Sequence, residues 1–241
     1  AFHYCWSGGQ KMIAEDMPDG RRPIQFGHAS RMEVAPSKIF QTAPLYITYS
    51  DDGLNGCGVA FQRHLRDEIV TDFAKPRPVH YNCWEAVYFD HKLPILKDIA
   101  SRAAKLGAER FVLDDGWFGA RDDDTSSLGD WTADKTRFPS GISSLAARVK
   151  AKGLKFGIWL EPEMVSPRSR LFEAHPDWIL HVPGRTPSLG RNQYTLDLSR
   201  PEIVDYIFGQ IDAILSCEDI DYVKWDMNRN MTEVGSAGHP K

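Results

Sequence analysis

The sequence has no apolar run near the roughly 20 residues that a membrane-crossing helix needs, and Ala1 to Gln10 lacks the basic-then-apolar order of an export signal. A membrane partner is therefore not expected, and the cytoplasm is the expected location. Lys/Arg-rich runs are also missing, and the formal net charge is -4 with a pI near 6.1. Nothing here would hold a phosphate backbone or an anionic membrane, so no nucleic acid is expected and the partner should be neutral. Cysteine is scarce. Cys5, Cys57, Cys83 and Cys217 are scattered without a Cys-x-x-Cys pair or a histidine at zinc-finger spacing. That pattern implies neither a disulfide framework nor a zinc site, and reduced cytosolic thiols fit it.

What is present suffices for a packed core: 241 residues, 42% hydrophobic and 11% aromatic. The first fifty residues place short β-like runs, Ile39 to Thr42 and Leu45 to Tyr49, between turn signals at Pro18-Asp19-Gly20, Gly27 and Asp51-Asp52-Gly53. Ala1 opens directly in such a run, so the chain is expected to begin inside a larger β domain, with residues 1–55 its C-terminal part. Residues 56–73 look helical and Lys75-Pro76-Arg77-Pro78 reads as a stiff linker, making 56–78 a helical connection.

The period then changes. Val79 to Trp84, Phe111 to Leu113, Leu154 to Leu160 and Ile220 to Trp225 read as strands. Between them, three helical faces recur. Leu93, Leu96, Ile99, Ala100, Ala103 and Leu106 form the first, which ends at Gly107; Ile142, Leu145, Ala146 and Val149 form the second, which stops at Gly153; Ile203, Val204, Ile207, Ile211 and Leu215 form the third. Strand-helix alternation demands parallel crossover units. A doubly wound sheet would alternate likewise, but its glycine-rich phosphate turn is absent. The expected fold class is therefore α/β: residues 79–241 supply four β-α units, the first half of a TIM (β/α)8 barrel, with the remaining strands expected beyond Lys241.

Polar and aromatic residues gather at the strand ends, where such barrels keep their active sites: Trp84, Asp114, Asp115, Trp159, Glu161 and Asp226. Lys224 and Asp226 should share a side of the last strand, and an ammonium there favours the charged carboxylate a nucleophile needs. The spacing alone fits a structural ion pair equally well. Adjacent Asp114 and Asp115 follow a buried run and need hydrogen-bond donors, for which sugar hydroxyls would serve; a turn cap into Gly116 is the alternative. Trp84 and Trp159 are candidate platforms for a sugar ring. Glu161 and Glu163, spaced to share a face, are candidate carboxylate partners for Asp226, but ties between rim loops are the preferred reading. His175 reads as a turn residue. The acidic loop from Asp122 fails as a calcium loop, having Ser127 and Ala133 where Gly and Glu are required.

Several stretches then combine into a resemblance: Asn82-Cys83-Trp84-Glu85-Ala86, Phe111 to Phe118, Asp122 to Trp131, Trp159 to Met164, Gly190-Arg191-Asn192-Gln193 and Lys224 to Arg229. In this order they resemble the bacterial and fungal α-galactosidases of glycoside hydrolase family thirty-six. Residues 1–75 resemble more weakly the end of the β-sandwich preceding the barrel in that family. The resemblance implies that Asp226 is the nucleophile of a retaining mechanism, that Asp114 and Asp115 grip galactose hydroxyls, and that Trp84, Trp159, Arg191 and Lys224 line the same subsite. It implies no metal or organic cofactor, an α-galactoside oligosaccharide such as melibiose or raffinose as substrate, and a full-length homo-oligomer. A galactosyl-transferring synthase and a non-catalytic sugar-binding fragment are the alternatives. The family's acid/base carboxyl lies on a later strand, so none is assigned here.

Overall fold

The computed structural model describes residues 1–6, 8–28, 39–216, 219–233 and 235–238. Cys217 lies outside the described residues. Two units separate at the proline-bearing segment, Ala1–Arg77 and Pro78–Lys241.

The first unit holds two antiparallel ribbons. β1 (Phe2–Tyr4) pairs with β4 (Leu45–Ile47), and β2 (Gln10–Ala14) pairs with β3 (Ile24–His28). Two expectations change here. Ile39 to Thr42 is not a strand, and Ile39 is exposed. Gly27 lies inside β3 rather than in a turn. The helix is α1 (Gly53–His64), which starts earlier than expected and continues as a π-helical turn over Leu65–Ile69.

The second unit is built on one four-stranded parallel sheet. Its strands are β5 (His80–Asn82), β6 (Arg110–Leu113), β7 (Lys155–Leu160) and β10 (Tyr222–Trp225), lying side by side in chain order. Each strand is short, and the inner pair carries the buried apolar runs, Phe111 to Leu113 in β6 and Phe156 to Leu160 in β7, as a parallel sheet covered on both faces requires. A short α2 (Trp84–Val87) follows β5, and then α3 (Leu93–Lys105), α4 (Ser143–Lys150) and α6 (Pro201–Leu215) return the chain between strands. Their apolar stripes, among them Leu96, Ala100, Leu145, Val149, Ile203 and Ile207, are buried with Phe111, Phe156 and Ile158 of the strands. α3 ends at Gly107, whose φ of 90° suits glycine. Gly157 in β7 has a packing reason instead: a Cβ there would come within 2.8 Å of the Tyr222 ring on β10.

Between β7 and α6 the chain makes an excursion carrying the antiparallel pair β8 (Met164–Val165) and β9 (Tyr194–Thr195), and the helix α5 (Arg170–Ala174). Ser169 caps α5 by accepting from the Phe172 amide at 3.0 Å. Asp130, from the acidic loop, accepts the Arg170 and Leu171 amides at 3.0 Å each, so that loop braces a helix. His175 stacks on Trp178, ring centroids 3.9 Å apart.

Candidate active site

Parallel register fixes the level of the site. Lys224 of β10 lies opposite Trp159 of β7, and Leu113 of β6 lies opposite Ile158. The residues just past these positions therefore emerge together at the C-terminal ends of the strands.

Asp226 follows β10 and continues its pairing through an amide donated to the Leu160 carbonyl at 2.8 Å. The indole nitrogen of Trp159 donates to its Oδ2 at 2.9 Å, and the Met227 amide donates to Oδ1 at 3.0 Å. The Lys224 ammonium stands 3.8 Å from Oδ2. Burial pulls this carboxyl upward, but the bonds from Trp159 and Asn228, the Lys224 charge and the Met227 amide outweigh it and hold Asp226 below the usual aspartate value.

Asp114 is the hub beside it. Its Oδ2 accepts from Lys224 Nζ at 2.9 Å and from the Asn82 side-chain amide, while Oδ1 accepts from the Asp115 amide at 2.9 Å. Asn82 also accepts the Trp84 amide on Oδ1 at 2.8 Å, so one side chain ties Asp114 to the start of α2. Trp84 thus sits on the first turn of a helix beyond β5 rather than ending the strand, and it is half-buried. Cys83 lies beneath: its Sγ accepts the Asp114 amide at 3.4 Å, and burial pushes its thiol up to about 12.

Because β6 ends at Leu113, strand alternation does not dictate the directions of the adjacent Asp114 and Asp115. Asp115 turns into a buried bidentate pair with Arg121, Nε to Oδ1 at 2.9 Å and Nη2 to Oδ2 at 2.8 Å. Burial raises its carboxyl against the pull of Arg121, and Arg191 also lowers it from a distance. Arg191 itself is exposed, in a turn where it and Asn192 have φ of 50° and 58°.

Trp159 differs from the open platform expected of it. Its side chain is only 1% exposed, stacked on Phe118 with centroids 6.1 Å apart. What it presents is its N–H, aimed at Asp226. Glu161 is wholly buried and Glu163 accepts from the Trp225 indole at 2.9 Å, so both tie loops. Periodicity gave no signal for Arg121, Asn82 or Asn228, since none lies on an apolar face: Arg121 turns back on Asp115 six residues before it, while Asn82 and Asn228 meet Asp114 and Glu161 from far along the chain. The ordered motifs Asn82 to Ala86 and Lys224 to Arg229 did contain two of them.

Carboxylates, an ammonium and indoles clustered at the C-terminal ends of parallel strands are the equipment of a carbohydrate-cleaving (β/α) enzyme. The melibiase family profile matches residues 39–241. An Escherichia coli α-galactosidase is 45% identical over 99% of this chain and 34% of its own length. The α-galactosidase AgaA of Geobacillus stearothermophilus is 49% identical over 85% of this chain and 28% of its own. A solved structure of a variant of AgaA, a family 36 enzyme in complex with raffinose, superposes with a TM-score of 0.93 at 44% identity, covering 99% of this chain and 34% of that one. The chain belongs to the melibiase family and is of the family 36 α-galactosidase type. It spans about a third of the length of these relatives.

Proposed function

We propose that this chain carries the nucleophile-bearing part of a retaining α-galactosidase that hydrolyses terminal α-galactosyl residues of oligosaccharides such as melibiose and raffinose. Pro78–Lys241 is read as the first four β-α units of a TIM barrel, and Ala1–Arg77 as the end of a β-sandwich and its helical connection. The free thiols of Cys5, Cys57 and Cys83 fit a reducing compartment such as the cytoplasm. A homo-oligomeric assembly remains part of this reading.

The observation that carries the proposal is the environment of Asp226: a half-buried carboxylate held below its ordinary value by an indole, an amide and an ammonium. In the reaction, a carboxylate oxygen of Asp226 attacks the anomeric carbon of galactose and the glycosidic bond breaks. The leaving oxygen takes a proton from a second carboxyl, about 5 to 5.5 Å from the first in retaining enzymes. Water then attacks the glycosyl ester, gives its proton to that second carboxyl, and releases galactose and free Asp226. Glu161 is deeply buried and Glu163 is engaged with Trp225, so neither is assigned as that second group, which the family resemblance puts on a later strand.

Asp114 and Asp115 would accept sugar hydroxyls with the lone pairs left by Lys224 and Arg121. Trp84 would cover an apolar face of the ring. Lys224 would neutralise the charge shared by Asp114 and Asp226, Trp159 would hold the nucleophile, and Arg191 would bound the subsite from the turn. The complexes of AgaA variants with raffinose and stachyose support a galactoside substrate.

The experiment is to trap the catalytically competent protein with a 2-fluoro galactosyl fluoride and map the labelled peptide. Label within Tyr222 to Arg229 supports the assignment, and label elsewhere removes it. Turnover that rises when an acceptor sugar is added would indicate a transferring synthase, and galactoside binding without label or turnover would indicate a sugar-binding protein.

A further inference from the structure

Beneath the nucleophile lies an acid to which the mechanism gives no part. Glu161 follows β7 directly and its side chain has no exposure. Its Oε1 accepts the Asn228 backbone amide, and its Oε2 accepts the Gln193 side-chain amide at 3.2 Å. The adjoining amide, that of Met227, donates to Asp226 Oδ1 at 3.0 Å. Arg229 strengthens the same junction, donating to the Gln193 and Ser188 carbonyls at 2.7 and 3.2 Å. Three segments distant in sequence thus meet on Glu161: the end of β7, the Arg191 turn and the loop after β10.

We propose that Glu161 is a positioning residue for the nucleophile, anchoring the Asn228 backbone amide from below so that the adjoining Met227 amide is held on Asp226. This rests on the reading of Asp226 as the nucleophile. A buried carboxylate is a costly anchor, since desolvation works against its charge. It offers two strong acceptors at fixed spacing, and with them it holds two loops that no strand hydrogen bond joins. The groups facing Asp226 are Trp159 from β7, Lys224 from β10, the Met227 amide and Asn228, with Asp114 behind Lys224. Those facing Glu161 are Asn228, Gln193 and Asp226 itself. Asn228 is the member common to both sets.

The side-chain chemistry separates three variants. Glu161→Ala removes both acceptors. Glu161→Asp keeps the charge but is one methylene too short to reach the Asn228 amide. Glu161→Gln keeps an acceptor for that amide and turns an NH2 group toward Gln193. The Gln193 Oε1 is buried without a partner, so a flip of the Gln193 amide would receive it. Gln should therefore replace Glu, and Asp should not.

The sign follows from the bond at stake. A hydrogen bond to a carboxylate favours its charged form, so freeing Asn228, and with it the adjoining Met227 amide, raises the value of Asp226 and the acid limb of its reactivity moves to higher pH. The experiment measures the pH dependence of trapping by a 2-fluoro galactosyl fluoride in the catalytically competent protein and its three variants, with peptide mapping and thermal unfolding alongside. For Glu161→Ala and Glu161→Asp we expect trapping slowed roughly tenfold or more and an acid limb moved up by about one pH unit, as loss of a bond to a charged group implies. Glu161→Gln should trap within a few-fold of the parent with no upward shift. If the Ala variant does not fold, the Asp variant decides. Unmoved acid limbs with label still on Asp226, or a Gln variant as impaired as Asp, would overturn the positioning role alone. Label on another residue of the parent would overturn the nucleophile assignment and this proposal together.

Discussion

The indole nitrogen of Trp159 and Oδ2 of Asp226 are 2.9 Å apart, and this bond is the point at which the buried aromatic core meets the carboxylate proposed as the nucleophile. Trp159 is itself fixed from behind, because Trp117 Nε1 donates to its backbone carbonyl at 2.9 Å and Phe118 stacks on its ring. The donor is therefore rigid.

Replacing Trp159 by Phe keeps most of the apolar volume and removes the donor. Because that bond lowers the carboxyl of Asp226, its loss raises it, and activity should fall at a higher pH as acid is added. In stability terms a depressed carboxyl contributes above its unfolded value and ceases to contribute as pH falls through its folded value. The Phe variant should accordingly lose less stability on acidification than the parent does. A pH profile of kcat/KM for an aryl α-galactoside together with acid unfolding checks both, and an unchanged acid limb would contradict the assignment.

Asp226→Asn preserves shape and removes the nucleophile. Turnover should drop by about 10⁴-fold or more, the scale seen when an enzyme's nucleophile is deleted, while a galactose-mimicking inhibitor binds within a few-fold of normal. Calorimetric titration of the inhibitor beside an activity assay separates the two effects. Near-normal turnover would show that the wrong residue has been named.

Arg121→Ala leaves the Asp115 carboxylate buried without its partner; the pair's side chains are 1% and 5% exposed. Breaking such a pair costs roughly 3 to 5 kcal/mol, and Arg121 also donates to the Ser126 carbonyl at 2.7 Å. Chemical denaturation of the variant should show a lowered midpoint with an unchanged slope. A loss under 1 kcal/mol would mean that solvent reaches Asp115.

The 241 residues expressed alone should self-associate. β5 and β10 are both edge strands of the parallel sheet, and Val204, Phe208 and Trp225 are exposed beside an otherwise buried core. Sedimentation velocity on the isolated polypeptide checks this. A monodisperse monomer with one cooperative unfolding transition would refute it.

Alternating periods were enough to locate the parallel strands, three crossover helices and the strand-end acids, because each such feature depends on neighbours a few residues away. The stop of α3 at Gly107 was legible for the same reason, whereas the loop residues of the Lys224 to Arg229 motif were legible only through the family resemblance. Element ends were less so. Trp84 begins a helix instead of closing β5, since the Asn82 side chain takes the Trp84 amide and turns the chain. Ile39 to Thr42 has strand composition but is not a strand in the structure.

The sequence by itself determined the strand-helix order and which residues stand at the strand ends, since both follow from local spacing. Only the tertiary structure decided what those residues do to one another. It buried Trp159 so that its N–H serves Asp226, committed Asp115 to Arg121, and placed Glu161 under Asn228. The Trp159–Asp226 and Glu161–Asn228 contacts join different elements, at distances fixed by parallel register and packing rather than by spacing along the chain, and Asp115 meets Arg121 only through the fold of the loop after β6.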